Sequence, residues 1–109
     1  MRERLLRAPA YTIEQLPATR GDGPPDSLIQ LPGPDGSSRF PAFQFNERGI
    51  PRHVVLVVNE ILRAGQDPWG VADWWLSVNS WLARPPVDLL GLGRDADLVA
   101  VAQAVRGEI

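Results

Sequence analysis

The 109-residue chain has no cysteine and no lysine, and a single histidine (His53), tyrosine (Tyr11) and methionine. Absence of cysteine excludes a disulfide framework, a thiolate nucleophile, thiolate zinc sites and cysteine-ligated iron–sulfur clusters. Absence of lysine removes the Schiff-base amine, and one histidine without a second at helical spacing cannot supply the usual metal ligand set. Charge of one sign is also lacking. Eleven basic residues, all arginine, stand against thirteen acidic ones, a net charge of −2 that is too balanced for a protein whose main task is gripping phosphates. The longest apolar run, Val54 to Val58, falls far short of the ~20 residues of a membrane helix. The opening Met1-Arg-Glu-Arg-Leu-Leu has no apolar stretch followed by a small-residue cleavage site, so the expected location is the cytoplasm and no membrane partner is expected. What is present, 44% hydrophobic and 22% charged residues, suffices for one small domain with one core.

Proline and glycine divide the chain. Eight of the eleven prolines lie between Pro9 and Pro51, a density that forbids long helices because proline lacks the amide donor. Residues 1–38 therefore read as a Pro/Gly-rich arm and a first hairpin strand, and residues 39–109 as a helical domain. Within the arm, Met1 to Ala8 and Tyr11 to Leu16 are candidate helical turns, the second capped by Thr12. Gly21 to Asp26 is a linker by composition. Leu28 to Leu31 and Arg39 to Phe45 read as two strands around Pro32 to Ser38, with Phe43 and Phe45 on one side, Gln44 on the other, and Pro41 favouring an edge position.

The second half has helical periodicity. In Arg52 to Ala64, Val54, Val55, Val58, Ile61 and Leu62 form an apolar stripe, with His53, Asn59, Glu60 and Arg63 opposite and Gly65 as the stop; Leu56 falls on the polar face. Asp67-Pro68 opens a second helix, aligning Val71, Ala72, Trp75 and Val78. Pro86 starts a short third helix, Val87 to Leu90, stopped by Gly91 and Gly93. Asp95 caps a fourth over Ala96 to Arg106, with Leu98, Val99, Ala102 and Val105 inward. The expected fold is thus mainly α, about four helices with a short N-terminal β-hairpin.

Catalytic signals are sparse. The paired acids Asp67 with Asp73 and Asp95 with Asp97 include two residues that stand where helix caps belong, and no nucleophile, base and orienter form a set, so no catalytic residue, metal or cofactor is expected. Gly91-Leu-Gly93 lacks the third glycine of a phosphate loop and follows a helical segment, where two helix breakers explain it. Tryptophan is the unusual feature: Trp69, Trp74, Trp75 and Trp81 fall within thirteen residues, too many large rings for one helix face. Trp75 and a neighbour read as core, others as seam cover or as interface anchors, since tryptophan and arginine dominate association energetics. Leu56 and Ile109 would extend such a surface. Stacking on single-stranded nucleic acid would need basic residues between the rings, where Asp67 and Asp73 stand instead.

The run Trp74 to Leu90, then a glycine-containing break and an Ala/Val-rich last helix, resembles the toxin-binding domain of the Xre/MbcA/ParS type of bacterial antitoxin. The resemblance rests on Trp74 and Trp75, then Asn79 and Leu82, then Pro86, Asp88, Leu89 and Leu90, and with Arg39 to Phe45 and Asp67 to Trp69 covers about residues 39 to 107. It implies a cytoplasmic protein that neutralises a RES-class toxin, similar to ADP-ribosyltransferases and NAD-consuming, by covering its active site. Trp69, Trp81, Arg94, Arg106 and Ile109 are then candidates for the toxin interface. The alternative is a non-catalytic adaptor that forms homo- or hetero-oligomers. Typical members carry a helix-turn-helix domain ahead of this module. Residues 1–38 with six prolines cannot form one, so DNA is not an expected partner despite Arg2, Arg4 and Arg7.

Overall fold

The computed structural model describes residues 10–12, 27–33 and 35–107. Three short strands, β1 (Ala10–Thr12), β2 (Leu31–Pro32) and β3 (Ser38–Pro41), precede three helices, α1 (His53–Leu62), α2 (Pro68–Leu76) and α3 (Asp95–Gly107). The result is a small antiparallel sheet beside a helix-dominated domain. The candidate turn Met1 to Ala8, the linker Gly21 to Asp26 and the residue Ile109 lie outside the described residues.

The sheet has the order β1-β3-β2, with Tyr11 opposite Phe40 and Leu31 opposite Arg39. The expected hairpin is therefore β2 and β3, with one detail corrected. Ala10–Thr12 adds a third strand, and the helical turn expected over Ile13 to Leu16 after the Thr12 cap lies outside the described residues. Ser38–Pro41 is central, not at an edge; Pro41 is tolerated because it ends the strand. The turn is closed by Gly33 N–H donating to the Ser37 carbonyl at 2.7 Å. Inside it the Asp35 carboxylate accepts from the Ser37 amide at 3.1 Å and hydroxyl at 2.6 Å. These two bonds, and then Arg39 at 3.3 Å, hold the exposed Asp35 carboxyl below its ordinary value.

After β3 the chain tightens into a 3-10 turn, Ala42–Gln44, instead of remaining extended to Phe45. That change of period turns Gln44 inward, where it is fully buried. α1 then runs between two apolar clusters. Val54, Val55 and Val58 face the main core, formed with Ile29, Leu31, Val71, Ala72, Trp75, Leu89, Leu98 and Ala102. Leu56 packs on the second cluster of Leu28, Phe40 and Phe45, whose ring meets Tyr11 edge-on at 5.3 Å. The sheet thus explains why Leu56 departs from the stripe, and leaves it only partly exposed. His53 is exposed. α1 ends two residues earlier than Gly65 suggests, because Arg63 itself takes the left-handed conformation (φ 62°).

α2 begins as expected: Pro68 occupies the first turn and the Asp67 carboxylate accepts from Gly70 N–H at 3.1 Å. It stops at Leu76, since Ser77 is extended, and so Val78 does not join Val71, Ala72 and Trp75. The expected third helix is a four-residue 3-10 turn, Pro86–Leu89, closed by Asp88 N–H on the Pro85 carbonyl at 3.0 Å. Prolines before it and Gly91 (φ 79°) and Gly93 (φ 75°) after it leave no length for a full α-helical turn. α3 packs chiefly against α1; Leu98, Val101 and Ala102 are buried, and Val99 is half-buried against the main core. Asp95 is its first helical residue, within the first turn and not before it. No helix among the described residues is long and apolar enough to cross a membrane.

Candidate interaction surface

A buried polar network ties the segment before the helices to α1 and α2. Gln44 Oε1 accepts from the Ile29 amide at 2.6 Å, and Gln44 Nε2 donates to the Ile29 and Pro41 carbonyls at 3.1 and 3.3 Å. Asn59 Nδ2 donates to the same Gln44 oxygen at 3.1 Å, and Asn59 Oδ1 accepts the indole N–H of Trp75 at 2.8 Å. Gln44, Asn59 and Trp75 have no exposed surface. Buried amides are tolerated only when paired in this way. Asn59 therefore belongs to the core, contrary to its expected place among the polar residues of α1. The signal was in the spacing: it stands four residues after Val55 and three before Leu62, on the apolar side of the helix.

This network fixes Trp75, and Trp75 fixes its neighbours. Trp74 lies edge-on to it at 5.1 Å and is half-buried; Phe43 lies against its other surroundings at 5.6 Å. The Trp74 indole N–H is buried with no hydrogen-bond partner among the described residues. Trp69 is half-buried and packed on the main core. Trp81 is different, being 53% exposed.

Asn79 builds the loop that carries Trp81. Its side-chain oxygen accepts from the Trp81 amide at 2.9 Å and the Leu82 amide at 3.3 Å, while its carbonyl accepts from Ala83 N–H at 2.8 Å. Its own N–H donates to the Arg84 carbonyl at 3.1 Å, closing a bridge across the loop. An asparagine serves because its short amide can replace a missing backbone partner. The resulting loop holds Ala83 in the left-handed conformation (φ 60°) and leaves Val78, 72% exposed, close in sequence to Trp81 on the outside. Leu82 packs inward, half-buried, as does Leu90; Pro86 and Leu89 are buried and Asp88 is exposed in the first turn of the 3-10 segment.

The remaining interface candidates are spread over α3. Arg94, just before the helix, is exposed and ion-paired with Asp97 three residues on. Arg106 is half-buried in the last turn, where a cation complements the helix dipole. The residues expected to mark the surface thus divide: Trp81 and Arg94 reach solvent, Trp69 and Arg106 do so only in part. Sequence reasoning passed over the exposed apolar side chains of Ile50 (51% exposed), Val78 and Leu92 (61%), each in a loop. Shallow depressions open to solvent among the described residues include one of about 400 Å³ beside Asn59, Glu60, Arg63 and Gln66 and another of about 350 Å³ between the 46–52 segment and Gly91. Among the described residues no three His, Cys, Asp or Glu side chains assemble into a group that could hold a metal.

No protein-family model matches the chain, and searches of the curated proteins and of the solved structures likewise return no match.

Proposed function

We propose that this chain is a protein-binding module of the antitoxin type, which inhibits a RES-class NAD-consuming toxin by covering its active site. The observation that carries the reading is a braced loop with an exposed tryptophan: Asn79 fixes the backbone at Trp81 and Leu82, and Trp81 stands 53% exposed, with Val78 three residues earlier at 72%. A large amphipathic ring held on a rigid support loses little conformational entropy on docking, the property that makes tryptophan a frequent hot spot. The segment that shapes this loop, Trp74 to Leu90, is the one that resembles the Xre/MbcA/ParS toxin-binding domain. In this reading Trp74, Trp75, Leu82, Pro86 and Leu89 are the scaffold, and Trp81, with Arg94, Arg106 and Ile109 toward the C-terminus, contacts the toxin.

Co-expression with the adjacently encoded protein tests it. The expected result is rescue of growth from an NAD-depleting neighbour and co-purification of the two chains. Failure of both, together with a homo-oligomer that buries Trp81, would overturn the proposal in favour of the adaptor function.

A further inference from the structure

We propose that the depression between the 46–52 segment and Gly91 is a carboxylate-binding site, which takes an acidic side chain from an acidic and apolar segment of a protein partner. The inference shares with the preceding one only the premise that the chain binds proteins; it concerns a different surface. Asn46, Glu47, Arg48, Ile50, Arg52 and Gly91 line the depression, about 350 Å³ in volume. Two of the six are arginines and one is a glutamate, a local excess of positive charge on a chain whose net charge is −2.

The arginines here differ from the others near carboxylates. Arg39 and Arg94 are ion-paired with Asp35 and Asp97. Neither Arg48 nor Arg52 forms an ion pair with a described residue, and Glu47, on the same rim, does not reach either. Arg52 is half-buried, its Nε sealed from solvent and without a hydrogen-bond partner among the described residues. The sealed Nε is out of a ligand's reach, but the two Nη atoms are not sealed and have no hydrogen-bond partner among the described residues, so a planar carboxylate can meet them end-on through two parallel bonds. The backbone beneath is preorganised: Asn46 Oδ1 accepts from the Arg48 and Ile50 amides at 2.8 and 3.1 Å, and Arg52 N–H donates to the Gln44 carbonyl at 2.7 Å. Gly91 borders the guanidinium on one side: a Cβ placed there would touch Arg52 Nη1 at 3.7 Å, so glycine keeps that flank of the depression low.

The rim selects the kind of carboxylate. Ile50 is 51% exposed in the lining and Leu92, next to Gly91, is 61% exposed, so an apolar side chain beside the acid finds a matching surface. A phosphate would face Glu47 and no lysine, with little cover for its third charged oxygen.

Two-dimensional amide NMR of the full chain, titrated with the peptide acetyl-Leu-Glu-Leu-amide, tests the proposal. Saturable shifts at Ile50, Gly91, Leu92 and the Arg52 Nε–H are expected, with a dissociation constant on the order of 1 mM. Binding should weaken at least about tenfold for the Leu-Gln-Leu peptide and for Arg52→Gln, fall with added salt, and strengthen for Glu47→Gln. If Arg52→Gln fails to fold, Arg48→Gln supplies the same comparison. No shifts at these residues, equal binding of the glutamine peptide, or tighter binding of inorganic phosphate would each overturn it. Trp81→Ala should leave the titration unchanged, so failure here is separable from failure of the toxin reading.

Discussion

Replacing Asn59 by leucine keeps the branched shape of the side chain, with bulkier methyl groups, and breaks the buried network at its centre. The Trp75 indole N–H loses its acceptor at 2.8 Å, while Gln44 Oε1 loses one donor at 3.1 Å but keeps the Ile29 amide at 2.6 Å. One fully orphaned buried donor costs about 1–3 kcal/mol. In a domain of this size that lowers the melting temperature by about 5–20 °C. Trp75→Phe strands Asn59 Oδ1 instead and adds a cavity, for a cost of about 2–4 kcal/mol. In the double variant both orphaned groups are gone, so its cost should fall short of the sum by about 1–2 kcal/mol. Urea unfolding followed by far-ultraviolet circular dichroism measures all four corners of the cycle without relying on the tryptophan signal being altered. Additivity within about 0.5 kcal/mol, or a more stable Asn59→Leu variant, would refute the claim that the indole and the two amides act as a unit.

Asp67→Ala should cost about 1 kcal/mol of stability through loss of the α2 cap, read as a lower urea midpoint at unchanged slope. Arg63→Gly and Ala83→Gly should each stabilise by about 0.5–1 kcal/mol, because both residues hold left-handed backbone that glycine adopts without penalty; thermal melts decide it. The Asp35 carboxyl, lowered chiefly by its bonds from Ser37, contributes to the β2–β3 turn above its unfolded value, and that contribution is lost as pH falls through the lower folded value. Proton exchange at the Ser37 amide should therefore accelerate, relative to the intrinsic rate, only in acid below the usual carboxylate range, and Asp35→Asn should abolish that dependence.

The helices were legible because their burial follows a single period. Val54, Val55 and Val58 repeat at helical spacing, Asp67-Pro68 announces a start, and Gly91 and Gly93 announce a break. The sheet was less so. Ala10–Thr12 is held by pairing with β3, far along the chain, and nothing local in Ala-Tyr-Thr requires a strand. Leu56 and Gln44 were misplaced for one reason: a helix with a core on each of two sides, and a chain that switches from extended to 3-10 geometry, break the assumption of one buried face. For the tryptophans, periodicity could not separate Trp69 from Trp81, because α2 is apolar nearly all round and the decisive event is its end at Leu76, where Ser77 turns extended and the chain enters the loop bridged by Asn79 and Arg84. Asn79 itself, with Leu82, Pro86 and Leu89, was visible as a pattern, and its role in bracing the loop follows from the short reach of its amide.

The central claim is that the aromatic-rich helical half is a scaffold that works by seating Trp81 on another protein. The direct measurement is the affinity of the purified chain for the adjacently encoded protein, with and without Trp81→Ala, beside the melting temperature of each isolated chain. The account predicts a loss of at least about 2 kcal/mol in binding, roughly 30-fold, at an unchanged melting temperature. Equal affinities for the two chains, or no complex with either, would contradict it.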